Sequence, residues 1–272
     1  MESRPGTTKS SRIDAVSAGS GAESRLVGSD RVLAVLKDLA RFPDGASLDE
    51  LTQASGSPKP TVHRALSSLR RAGLADQDGR GKYLLGDEVL RMAFAFHEAR
   101  PEHLRMQPVL EALSDRFGET THYAVLDGRE VVYRAKVDPG VGSVRLTSMI
   151  GGRNPAHATG VGKMLLACRL RTRSEVKSWV GSFDLVRRTP NTLCTVNDLH
   201  EDFAATRERG FSIDDQENEM GINCVSLPVY SVSSSVPSGA LSISALAYRT
   251  PLSSLLDAMD EIKHMTRDLT SP

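Results

Sequence analysis

Apolar residues recur along the chain in two rhythms, and the change of rhythm divides it. From Ser29 onward Val32, Leu33, Val35, Leu36 and Leu39 repeat at helical spacing, with Ser29 as a candidate cap. This first helix is expected to end near Phe42, ahead of Pro43, Asp44 and Gly45. Ser47-Leu48-Asp49-Glu50 has the form of a capping box, in which Ser47 and Glu50 satisfy each other's backbone N–H. It opens a short second helix with Leu48 and Leu51 facing inward and Gly56 as its stop. A third helix follows, capped by Ser57. Its Pro58 and Pro60 fit only a first turn, where backbone N–H groups have no helical partner. Val62, Ala65, Leu66 and Leu69 form its apolar stripe, and Gly73 ends it. Extended pieces around Leu74-Ala75 and Tyr83-Leu84-Leu85 are joined through Asp78-Gly79, a hairpin signal.

Another amphipathic helix is predicted from Asp87 to about Ala99, through Val89, Leu90, Met92, Ala93 and Phe96. Its place between two patterns makes it a linker. After Pro101 short apolar runs alternate with helical stretches. Strands are predicted near 121–126, 130–137, 143–149, 211–215, 224–230 and 240–247, and helices near 102–117, 159–168, 174–180, 198–209 and 251–269. Such a mixture implies an α+β domain, an antiparallel sheet flanked by helices. Residues 1–25, rich in Ser, Gly and Thr, bury too little surface to fold and are expected to form a disordered tail. The expected organisation is that tail, an N-terminal domain over 26–86, a linker helix over 87–100 and a C-terminal domain over 101–272.

Charge sharpens the picture locally. The chain has 34 basic and 34 acidic residues among 272, which excludes a general polycation. Between Gly56 and Lys82, however, Lys59, Arg64, Arg70, Arg71, Arg80 and Lys82 face only Asp76 and Asp78, a local surplus of four positive charges. Three cysteines without a CxxC pair suit a reducing compartment. No apolar run suggests a signal peptide or a membrane span, so a soluble, cytoplasmic protein without membrane partners is expected.

Three helices, a tight connection and a hairpin make a winged helix-turn-helix. The third helix must bury one face and offer the other to a DNA groove. Candidate DNA contacts are Ser57, Lys59, Thr61, His63, Arg64 and Ser67 on that face, with Arg80 and Lys82 on the wing, where they reach phosphates or a minor groove. Two blander readings stay open: a solvated basic face, or a winged helix that docks another protein.

The C-terminal half carries "IGGRNPAHATGVGKMLLA", "RERGFSIDDQENEMGINCVSLPV" and "GALSISALAY". With "YLLGDEVLRMA" at the entry to the linker helix, these stand in the order that resembles the IclR family of transcriptional regulators, from about Ser29 to Leu269. The resemblance implies an α+β protein in which a winged helix-turn-helix reads operator DNA as a homodimer or a dimer of dimers. It implies too that residues 101–272 form a GAF-like effector-binding and oligomerisation domain, with a small organic acid as effector. Carried over by motif, effector contacts fall on Leu146, Asn154, Gly160, Val161, Asp214, Ile222, Cys224, Ser242 and Ser244. Asn154 stands where the family usually has an apolar residue, and Pro60 where a small hydroxyl residue is usual. The chemistry is coherent. Gly160, Val161 and Gly162 sit where a chain turn enters a helix, so free N–H groups can converge on a carboxylate. Ser242 and Ser244, two apart on a strand, point the same way. Singly, Cys224 also suits a core thiol, Asp214 a solvated strand end and His157 a structural hydrogen-bonder.

Catalysis finds little support. There is no GxSxG, and "HATGVGKM" fails as a phosphate loop at His157 and Met164. The seven histidines show no zinc spacing, so neither a metal nor a cofactor is expected. An enzyme processing a small acid is the remaining alternative. Repression and activation are equally open.

Overall fold

Capping and proline punctuation set the helices of the N-terminal unit. In this computed structural model, which describes residues 28–98, 102–140, 146–231 and 236–270, α1 (Gly28–Leu39), α2 (Leu48–Ser55) and α3 (Lys59–Arg71) precede a two-stranded antiparallel sheet. Its strands are β1 (Ala75–Gln77) and β2 (Tyr83–Leu85), and an Ala46–Tyr83 bridge ties the start of α2 to it. The capping box forms as expected: Ser47 Oγ accepts from Glu50 N at 3.2 Å, and Glu50 Oε2 accepts from Ser47 N at 2.7 Å. Leu39, Leu51, Val62, Leu66, Leu69 and Tyr83 close a small core. Helix α4 (Asp87–Glu98) follows, and none of its described side chains is buried.

Four local expectations need correction here. Leu33 does not join the core but is 55% exposed, because the core face of α1 runs through Val35 and Leu39. Pro58, not Ser57, is the cap of α3: its φ of −56° presets the turn, and its carbonyl accepts from Thr61 and Val62. Asp78-Gly79 does not form a two-residue turn. Instead Asp78 N donates to Lys82 O, and the left-handed position falls on Gly81, with φ 83°. Finally, the strand predicted over 143–149 is not formed in its described part, 146–149; the pairing strand is β5 (Arg153–Pro155). The carbonyls of Leu146 and Ser148 bond to Lys136 Nζ at 2.8 Å each, in place of a neighbouring strand. The predicted tail lies outside the described residues, as does most of the serine-rich stretch after Ser231.

The C-terminal unit, which divides from the first between Phe96 and His97, is built on six antiparallel strands. These are β3 (Thr120–Asp127), β4 (Glu130–Val137), β5, β6 (Ser212–Asp215), β7 (Ile222–Val229) and β8 (Gly239–Leu246), ordered β5-β4-β3-β8-β7-β6. Helices cover both faces, so the strands read as near-continuous apolar runs. On one face α5 (Glu102–Phe117), α9 (Leu252–Asp257) and α10 (Met259–Thr270) pack over Tyr123, Val225, Leu241 and Ile243. The last two replace one predicted helix, interrupted at Ala258. On the other face lie α6 (Gly160–Arg169), α7 (Arg173–Val180) and α8 (Val196–Arg209), around Leu165, Leu199 and Phe203. On this side the strands also carry polar residues, which positions a site. Among the described residues, no helix is long and apolar enough to cross a membrane.

Candidate functional site

Two chemically distinct surfaces emerge. On α3, Val62, Ala65, Leu66 and Leu69 are buried while Lys59, His63 and Arg64 are exposed and Ser57, Thr61 and Ser67 are half-buried. Lys59 Nζ is steered by Asp49 of α2, 2.6 Å away. Ser67 Oγ donates back to His63 O at 2.8 Å, which leaves its lone pairs outward. Arg70 and Arg71 are engaged internally, with Gln77 Oε1 at 2.9 Å and Ser68 Oγ at 3.0 Å. The wing is shaped by one carboxylate: Asp78 Oδ1 accepts from Arg80 N at 2.9 Å and Lys82 N at 2.8 Å. That geometry leaves the Arg80 side chain in solvent.

The second surface is concave. Cross-strand register lines up Ser226, Ser242 and His122 in one row, and Asp214, Cys224 and Ser244 in the next. Because strand side chains alternate, both rows share the face under α6. The helix approaches closely because it begins with glycine. A Cβ on Gly160 would lie 2.6 Å from Ser226 Oγ, and one on Gly162 only 2.2 Å from Ala156 O. Thr159 caps the helix by accepting from Gly162 N at 3.2 Å, and Ser212 Oγ donates to Gly160 O at 2.6 Å.

Between these rows and the α6 N-terminus is a cavity of about 340 Å³. All nine residues nominated from the family motifs line it: Leu146, Asn154, Gly160, Val161, Asp214, Ile222, Cys224, Ser242 and Ser244. So do His122, Tyr133, Ser148 and Arg188, which were not nominated. His122 and Tyr133 carry a weak signal, since each alternates with core residues on its strand. Arg188 comes from an irregular segment without periodicity, and nothing local marks it. His157, outside the cavity, bonds through Nε2 to Val186 O at 3.0 Å, a structural role.

The lining holds its polar groups neutral. His122 lies within 2.7 Å of Ser148 Oγ at Nε2 and within 3.4 and 3.5 Å of Ser244 and Ser242 Oγ at Nδ1. Burial, then the Lys136 charge, pulls its pKa down to about 3, against the opposing effect of Asp138. Burial lifts the Tyr133 phenol to about 12, although Asn154 Nδ2 donates to its oxygen at 3.3 Å. Cys224 is raised to about 11 by burial and by Asp214, so the thiol is not a ready nucleophile. Behind the wall Lys163, only 1% exposed, pairs with Glu217 and lies 3.5 Å from Asp202. Imidazole, hydroxyls and helix N–H groups suit recognition of a small polar molecule by hydrogen bonds. Among the described residues no three His, Cys, Asp or Glu side chains gather as a metal site.

Comparison with known proteins agrees with this division. The family model described as IclR helix-turn-helix domain matches residues 29–79, and that of the bacterial transcriptional regulator IclR C-terminal matches residues 103–270. The chain is 32% identical over 235 residues to the HTH-type transcriptional regulator XynR of Escherichia coli strain K12, covering 86% of this chain and 92% of that protein. Its fold is similar to the crystal structure of the Thermotoga maritima IclR, with a TM-score of 0.73 at 24% identity over 89% of this chain and 98% of the other. It is similar also to an IclR homolog complexed with 4-hydroxybenzoate from Microbacterium hydrocarbonoxydans, with a TM-score of 0.69 at 23% identity over 89% and 100% of the two chains. A winged helix and a separate ligand-sized cavity thus define a DNA-binding transcriptional regulator. The chain belongs to the IclR family.

Proposed function

We propose that the protein reads an operator through α3 and the wing, and that a small organic acid in the cavity sets its operator affinity. The observation that carries the second part is the convergence, in one cavity, of the α6 N-terminus with two serine hydroxyls and a neutral imidazole. Exposed first-turn N–H groups and hydroxyl donors are what a carboxylate requires. The relative crystallised with 4-hydroxybenzoate supports an acid of this kind.

At the operator, Lys59, Arg80 and Lys82 are assigned to phosphates. Arg64 and His63 are assigned to base edges, and Ser57, Thr61 and Ser67 to positioning. Two chains associate so that two α3 helices meet half-sites one DNA turn, or a multiple, apart. The exposed apolar side chains of α4, Leu90, Met92, Phe94 and Phe96, support association with a second copy. Effector binding shifts the operator-competent arrangement only as far as it favours one arrangement over the other. The protein works in the cytoplasm, where the DNA is.

The test is a gel shift of the purified protein on its own upstream intergenic DNA, with and without a panel of small carboxylic acids. A discrete complex that an acid strengthens or dissolves is expected. A complex indifferent to every acid would leave the DNA assignment intact and remove the effector assignment. Salt tests the first part: a surface meeting several phosphates loses affinity steeply as salt rises.

A further inference from the structure

The wall of the cavity opposite the α6 N-terminus is a carboxyl group, which is a poor lining for a site that takes acids. Asp214 ends β6, is 5% exposed and lines the cavity. Its Oδ1 accepts from Glu217 N at 2.7 Å and Asn218 N at 3.4 Å. The cation in its neighbourhood, Lys163, is committed to Glu217 and Asp202 behind the wall. Every element packed around it contributes: Glu217 and Glu219 from the following turn, Lys163 from α6, Asp202 from α8, Cys224 across the β6–β7 ladder, Tyr133 from β4 and Arg188 from the segment before α8. The nearest of these that carry charge are a carboxylate and a lysine already neutralised. An incoming carboxylate would therefore meet Asp214 and Glu217 as like charges unless one of the three groups holds a proton.

We infer that Asp214 receives the acid effector as a carboxylic acid, taking one proton from solvent and donating it as a hydrogen bond to the bound carboxylate. This rests on the acid-effector reading and assigns a role within it. The balance is simple: effector anion plus solvent proton plus Asp214 carboxylate give a complex with a single hydrogen-bonded proton between two carboxyl groups. No bond other than O–H forms or breaks. The group is poised for the task. Burial and then the Glu217 charge raise its pKa to about 7, against the backbone N–H donors and Lys163. The site then prefers an anionic carboxylate over the corresponding amide, since the amide NH2 would face a donor.

The experiment is calorimetric titration of the full-length protein with 4-hydroxybenzoate, pyruvate and glycolate, each in two buffers of different ionisation enthalpy. For an acid that binds, uptake of about one proton is expected at about pH 8, falling toward zero near pH 5.5, because Asp214 is by then protonated in the free protein. D214N is expected to bind with no proton uptake at either pH, its amide replacing the donor. Binding without proton uptake in the wild-type protein at pH 8 overturns the inference and leaves the acid reading standing. Uptake that survives in D214N also overturns it, by assigning the proton elsewhere. No binding heat, and no thermal shift, with any of the acids overturns the acid reading and the inference together.

Discussion

The DNA face and the effector cavity use polar chemistry in opposite ways. On α3 and the wing, Lys59, His63, Arg64 and Arg80 stand in water on a scaffold whose own stability comes from a small apolar core. In the cavity, His122, Asp214, Ser242 and Ser244 are themselves buried, and their wall includes a lysine with almost no exposure. An exposed charge is hydrated whether or not a partner is present, so removing it affects binding more than folding. A buried polar group must be satisfied by its neighbours, so recognition and stability share the same side chains. The contrast makes a general point: the reading surface tolerates change, whereas the sensing surface is part of the fold.

The sharpest way to break that comparison is Lys163→Met. Removing the cation leaves Glu217 and Asp202 buried without compensation, at a cost of about 3–5 kcal/mol. Calorimetric unfolding of the full chain is expected to show a correspondingly lowered transition for residues 97–272; a cost under about 1 kcal/mol would mean that the pair does not organise the wall.

Next in size are paired pH effects of opposite sign. His122 has a folded pKa below its unfolded value, so the unfolded chain binds more protons and stability is lost as pH falls below about 6.5. Asp214 has a folded pKa above its unfolded value, so the folded chain binds more protons and stability is gained as pH falls from about 7 toward 4. Between pH 7 and 5 each amounts to about 2 kcal/mol, and in the wild-type chain they nearly cancel. D214N is therefore expected to lose stability on acidification over that range, and His122→Asn to gain it. Denaturant titrations at the two pH values decide, and parallel slopes in the two variants would falsify the assignment.

On the DNA side, Arg64→Ala is expected to weaken operator affinity by about 1–3 kcal/mol while unfolding changes by less than about 0.5 kcal/mol. Equal affinity in a fixed-salt titration would remove Arg64 from the reading surface. Smallest is Ser47→Ala, which breaks the capping box of α2 and costs about 1 kcal/mol of stability. It acts on the scaffold of the DNA face, so specificity among operator variants should not change.

How much could be read in advance follows the same division. The winged helix is a local structure: the Ser47–Glu50 box, the two prolines at the start of α3 and the stripe from Val62 to Leu69 lie within a few turns of one another. Its errors were local as well. Ser57 looked like a cap because a serine beside a helix start usually is one, but Pro58 supplies the entry geometry without a side-chain acceptor. The predicted strand over 143–149 failed for a longer-range reason, since Lys136 takes the carbonyls that a partner strand would have used.

The sequence alone determined the order of elements, the buried stripe of α3, the glycine entry to α6 and, through the family motifs, nine residues of the cavity wall. These signals are periodic or contiguous, and a short stretch of chain carries the whole of each. Only the tertiary structure decided that His122, Tyr133 and Arg188 join that wall, that Lys163 is buried against Glu217 and Asp202, and that Asp214 faces the α6 N-terminus. Those facts depend on strand register and on helices packed across a sheet. The ionisation of a side chain follows from what surrounds it in space, which no stretch of chain contains.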